Sequence, residues 1–135
     1  MAVFSGSCLC GSVSFKSQFE PLRTFNCHCE DCRKSIGAPF LKNIFVKEND
    51  VEIIGQLSSY KHLSDSGNKL TKKFCAICGC QMFSLNEGRP GLIRIHAGTI
   101  NELDIIKPQG DVWVSQKIPS IILDNQLKQH EKNPI

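Results

Sequence analysis

Cys75-Ala76-Ile77-Cys78-Gly79 sets two thiols three positions apart and closes them with a glycine. Two thiolates so spaced converge on one metal ion, and the glycine permits the tight turn around it. A pair supplies only half of a tetrahedral ligand set. Cys8-Leu9-Cys10-Gly11 is a second cysteine pair closed by glycine and is its natural complement. Together Cys8, Cys10, Cys75 and Cys78 predict a closed four-thiolate site. Such a site ties the N-terminal strand to the middle of the chain, and its metal-binding free energy acts as folding free energy.

Outward from these pairs lies Cys27-His28-Cys29-Glu30-Asp31-Cys32, which offers three thiols within six residues. Three ligands and an open position make a reactive zinc site, able to hold a thiol or water in its deprotonated form and to polarise a carbonyl. The competing reading closes that site with His28 or Cys80 as fourth ligand; the position of His28 between two ligands points its ring away. Cys80, the eighth cysteine, reads either as a small buried hydrophobe or as a redox partner or occasional ligand. Soft thiolates select zinc, copper(I) or iron–sulfur clusters over hard cations. Zinc, two ions per chain, is the expectation.

An even cysteine count in a short chain also suits a secreted disulfide framework. Against it, Met1-Ala2-Val3-Phe4-Ser5-Gly6-Ser7 has neither the basic stretch nor the apolar run of a signal peptide. The expectation is a cytoplasmic protein, with the nucleus as a second compartment, whose thiols stay reduced. Hydrophobic residues at 41% and charged residues at 21% of 135 positions describe one globular domain and not a disordered chain. No apolar run approaches the ~20 residues that cross a bilayer. With a net charge of +3 and dispersed lysines, Arg33-Lys34 and the stretch 69–73 are too short to mark a nucleic-acid groove.

Residues 11–17 alternate small or polar with apolar side chains, the period of a half-buried strand. Segments 40–46, 51–54, 57–63, 70–74, 92–97 and 112–115 are short and rich in β-branched or aromatic residues, with turn chemistry between them. One helical turn is predicted over 30–36, with acids opening it, bases closing it and Gly37 as its left-handed stop. The chain therefore reads as mainly β. Residues 1–120 form the domain, and 121–135 a polar C-terminal tail expected to be frayed or loosely docked.

Gly6-Ser7-Cys8-Leu9-Cys10-Gly11-Ser12-Val13, Cys27-His28-Cys29-Glu30-Asp31-Cys32-Arg33-Lys34 and Phe74-Cys75-Ala76-Ile77-Cys78-Gly79 resemble the glutathione-dependent formaldehyde-activating enzymes, whose relatives include centromere protein V. Ala97-Gly98-Thr99-Ile100 and Asp111-Val112-Trp113-Val114 extend the likeness more weakly, to about Pro119. The resemblance implies several small coiled antiparallel β-sheets with a zinc-ribbon element, similar to methionine-R-sulfoxide reductases. It also implies that Cys8, Cys10, Cys75 and Cys78 hold a structural zinc, and that Cys27, Cys29 and Cys32 hold a catalytic one. Cys80 departs from the family pattern.

What the resemblance implies about activity is a carbon–sulfur lyase reaction that joins glutathione, a small-molecule thiol, to formaldehyde as S-hydroxymethylglutathione. Arg33 and Lys34 are either a solvated pair or partners for a glutathione carboxylate. Trp113 and Phe40 are either core or pocket lining. The alternative to the enzyme is a binding module with two structural zincs, like centromere protein V; the short tail of mixed charge lacks the basic extension that reading predicts. Neither the true substrate nor the oligomeric state follows from the sequence.

Overall fold

The computed structural model describes residues 2–134; Met1, the start of the N-terminal stretch, and Ile135, the end of the tail, lie outside the described residues. In chain order the elements are β1 (Phe4–Ser7), β2 (Ser14–Ser17), β3 (Arg23–Cys27), α1 (Glu30–Ile36), β4 (Leu41–Lys47), β5 (Val51–Ile54), β6 (Leu57–Leu63), β7 (Lys69–Cys75), β8 (Gln81–Asn86), β9 (Leu92–His96), β10 (Gly110–Val112) and β11 (Lys128–Gln129). The fold is mainly β. Strands β1, β2 and β5 form a three-stranded antiparallel sheet, and the others form an eight-stranded sheet in the order β11-β10-β3-β4-β9-β8-β7-β6. That larger sheet is antiparallel except at one edge, where β10 runs parallel to both β3 and β11.

The two faces of the large sheet differ in chemistry. In register across it, Phe83 lies opposite Ile95 and Ile95 opposite Ile44. All three are fully buried and belong to one core with Phe4, Val13 and Phe15 of the small sheet. Phe15 and Phe83 meet edge to face at 5.3 Å, a geometry worth ~0.5–1.5 kcal/mol beyond its buried area. One residue along each strand, the opposed positions are Tyr60, Lys72, Ser84, Arg94, Phe45 and Arg23. Successive side chains alternate between faces, so this polar row points away from the core.

Gly6 keeps the small sheet close to the rest. A Cβ there would collide with the Thr99 carbonyl and the Phe15 ring, so only glycine permits the bridge between Gly6 and Ile100. Among the described residues, no helix is long and apolar enough to cross a membrane.

Strands at 51–54 and 57–63 and the helix at 30–36 stand where the sequence predicts them, and Gly37 is left-handed with φ 67°. One expectation is corrected. Segment 112–115 is a strand only to Val112. Trp113 then takes a left-handed conformation with φ 57°, and a 3-10 turn follows at Val114–Gln116. Of the two forms expected of the tail, the docked one is seen: β11 pairs with β10, the Trp113 amide donates to the Lys132 carbonyl, and the indole Nε1 donates to Asn133 Oδ1 at 2.9 Å. Deleting residues 127–135 is expected to lower the unfolding free energy by about 1–3 kcal/mol in urea denaturation, because these bonds close the β10 edge.

Candidate metal centres and an adjoining cavity

Cys8 follows β1 and Cys75 ends β7, and the structure brings their two pairs together. The ligand atoms of Cys8, Cys10, Cys75 and Cys78 lie within 4.8 Å of one another. Cys8 and Cys10 sulfurs are 3.7 Å apart, and Cys10 and Cys75 sulfurs 3.8 Å. A tetrahedral zinc with Zn–S bonds of ~2.3 Å separates its sulfurs by about 3.8 Å, so the set fits that ion. The Ile77 and Cys78 amides donate to Cys75 Sγ at 3.3 Å, and the Val13 amide donates to Cys8 Sγ at 3.3 Å. The Cys78 amide is the main cause holding the Cys75 thiol down at about 6, which favours the ligating thiolate.

Cys27, Cys29 and Cys32 form a second group, their sulfurs also within 4.8 Å of one another. Strand β3 delivers Cys27, while Cys29 is the N-cap of α1 and accepts from the Cys32 amide at 3.3 Å. Bonds from the Cys27 and Cys32 thiols hold Cys29 down to about 2, and the same contacts push Cys27 far up. Cys32 feels opposed pulls, lowered by Cys27 but raised by Cys29 and by burial, and ends at about 11. Three thiolates this close repel one another, and a cation among them would offset that cost. Among the described residues, no fourth Cys, His, Asp or Glu joins the group.

His28 stands outside the group. Fully buried, its Nε2 lies 2.9 Å from Asp111 Oδ1, and its ring packs on Phe40 at 5.0 Å. The His28 amide also donates to the Val112 carbonyl, so the link pins the end of β3 against β10. Cys80 joins neither group; it packs against the main core, and burial raises its thiol.

A cavity of about 180 Å³ opens beside Cys27, Cys29 and Cys32. Lys72, Asn43 and Arg94 line it from the sheet, Arg89 from the turn between β8 and β9, and Trp113, Asn133 and Pro134 from the β10 edge and the tail. Trp113 therefore lines the pocket, whereas Phe40 does not. Arg33 and Lys34 also stand outside this cavity, and Lys34 pairs with Glu30 at 2.8 Å. The sequence reading missed Lys72, Arg89, Arg94 and Asp111. Their signal lies in register: Lys72 and Arg94 both oppose Ser84 on the polar face.

Lys72 is 4% exposed and has no ion pair among the described residues. Its positive charge reaches Cys29 and Cys32 and lowers both. His96, opposite Asn43, donates from Nδ1 to the Gln81 carbonyl at 3.0 Å, which leaves Nε2 buried as an unpartnered lone pair. Burial holds His96 down to about 4.

A profile described as glutathione-dependent formaldehyde-activating enzyme matches residues 3–116. An uncharacterized lyase of Schizosaccharomyces pombe is 26% identical over 83 residues, covering 62% of this chain and 58% of that relative. The chain thus spans less than two thirds of the length of that relative. A crystal structure of a Rhodobacter sphaeroides protein superposes with a TM-score of 0.58 over 77% of this chain and 96% of the other, at 19% identity. That likeness is one of fold.

Metal analysis is expected to find two zinc ions per chain in the native protein and one in Cys29→Ala, with the variant still folded; Cys75→Ala is expected to lose cooperative unfolding. His96 supplies a pH test. The unfolded chain carries more protons than the folded one between pH 4 and 6.5, so stability falls as pH drops through that window, by on the order of 3 kcal/mol. His96→Gln is expected to flatten that part of the denaturation profile relative to the native chain.

Proposed function

From a chain that belongs to the glutathione-dependent formaldehyde-activating enzyme family, we propose a zinc-dependent carbon–sulfur lyase acting on the adduct of a small thiol with an aldehyde, S-hydroxymethylglutathione being the family's example. The observation that carries this reading is a set of three sulfurs, not four, on the wall of a cavity. Zinc bound there would supply a Lewis acid and hold an incoming thiol as thiolate near neutral pH. The other group, Cys8, Cys10, Cys75 and Cys78, serves as the structural site.

The chain's own groups do the rest. Cys27 is positioned by the His28–Asp111 bond, and the α1 cap positions Cys29. The thiol sulfur, its proton given up to water, forms a bond to the aldehyde carbon, the carbonyl π bond breaks, and its electron pair moves to oxygen, which takes a proton back from water. Lys72, buried and without a carboxylate partner, offers the ammonium that receives this developing oxyanion. Trp113 and the docked tail wall the cavity from solvent, which strengthens that interaction. Reversal of these bond changes releases thiol and aldehyde.

In NMR exchange experiments with glutathione and formaldehyde, the zinc protein is expected to speed interconversion of free and adduct thiol. Cys29→Ala is expected to return exchange to the rate in buffer, and Lys72→Met to slow it about 100-fold with both metals retained. Exchange by the native protein no faster than in buffer sinks this reading.

A further inference from the structure

Arg94 crosses the polar face with one guanidinium nitrogen, Nη2, buried and without a hydrogen-bond partner. Its guanidinium lies 6.0 Å from the centre of the Phe45 ring, and that of Arg23 lies 5.2 Å from the same ring. Arg89, from the turn between β8 and β9, completes the group. Burial, with the charges of Arg23 and Arg94, lowers its ionisation below the ordinary arginine value. None of the three forms an ion pair among the described residues. The carboxylates that line the cavity are Glu30, Asp31 and Asp65. Glu30 is engaged by Lys34, and the other two are beyond ion-pair distance of Arg89 and Arg94.

Three guanidiniums gathered without an anion repel one another, and the Phe45 ring offsets only part of that cost. We propose that Arg89 and Arg94 form a carboxylate-binding subsite at the far end of the cavity from Cys27, Cys29 and Cys32, with Arg23 adding charge from behind the Phe45 ring. Arginine suits this task because its planar fork accepts a carboxylate through two parallel bonds. Along β4, Phe45 opposes Arg94 while Leu41 opposes Cys27. Four residues at ~3.3 Å each separate these rows by about 13 Å of backbone, and the long arginine side chain shortens the gap between functional groups. The cavity therefore suits a peptide-sized thiol, its sulfur at the three cysteines and a carboxylate at the arginines. The identity of this ligand rests on the function proposed above; the site itself rests on the charges alone.

The test uses the zinc-loaded full chain and isothermal calorimetry. S-methylglutathione keeps both carboxylates but has no free thiol, while glutathione diethyl ester keeps the thiol and has no free carboxylate. S-methylglutathione is expected to bind the native protein, more weakly as salt rises, and to lose about 10- to 100-fold in affinity in Arg94→Gln. Arg94→Lys, which keeps the charge but not the fork, is expected to lose nearly as much. Should Arg94→Gln fail to fold by circular dichroism, Arg89→Gln, at a half-buried turn position, decides in its place.

Unchanged affinity in a folded arginine variant overturns the proposal, as does a diethyl ester that binds the native protein as tightly as glutathione itself. Inorganic phosphate that binds at these arginines more tightly than S-methylglutathione also overturns it, by reassigning the subsite to a phosphate. Because S-methylglutathione cannot undergo the exchange reaction, its binding succeeds or fails independently of catalysis.

Discussion

Everything at the candidate site depends on one register. Strand β4 meets β9 with Asn43 opposite His96, Ile44 opposite Ile95 and Phe45 opposite Arg94. A slip of one residue would exchange the faces. Were β9 to slip, Ile95 would turn into the cavity, and Arg94 and His96 would enter an apolar core where a guanidinium has no partner. The dry packing of Phe83, Ile95 and Ile44 against the small sheet therefore sets the polar face as firmly as any bond on that face does. Core and site are two readings of the same alternation.

The two thiol groups sit differently with respect to that division. Cys8 and Cys75 belong to the main core cluster, so a cation held there would join the small sheet to the large one across a sequence separation of 67 residues. Cys27 and Cys32 are packed instead with Leu41 and Val112 in a smaller cluster, at the edge where β10 runs parallel to β3. Short as it is, that edge is over-determined. The His28–Asp111 bond, the β11 pairing and the Trp113 indole all hold it. Trp113 is the only non-glycine residue among those described with positive φ. A bulky side chain rarely occupies that conformation without surrounding structure to enforce it, and here the enforced residue lines the cavity.

Legibility in the sequence followed burial pattern. Strand β6 and helix α1 were readable because apolar spacing, caps and charges agreed with their fold. Strand β3 was not, since two of its buried residues, Thr24 and Asn26, are polar and mask the period. Lys128 and Gln129 of β11 are both exposed, so no hydrophobic signal marks a strand whose only tie is backbone hydrogen bonding. Arg33 and Lys34 drew attention by standing next to a cysteine ligand. Neither lines the cavity: Lys34 is exposed and Arg33 half-buried on helix α1, because one or two residues of helix rotate a side chain to another face than that of Cys32.

Cysteine spacing by itself determined that the thiols divide into groups, since ligands one to three residues apart can converge on an ion only locally. Turn residues and period-2 segments likewise determined a mainly β chain. Which groups surround the second thiol set was decided by tertiary structure alone. Lys72, Arg89, Arg94 and the tail come from strands and turns remote in sequence, and only pairing register and sheet order place them around the cavity that Cys27, Cys29 and Cys32 also line, with Asp111 against His28. Local spacing encodes short-range chelation, whereas a binding wall built across strands is encoded in non-local pairings that no window of sequence contains.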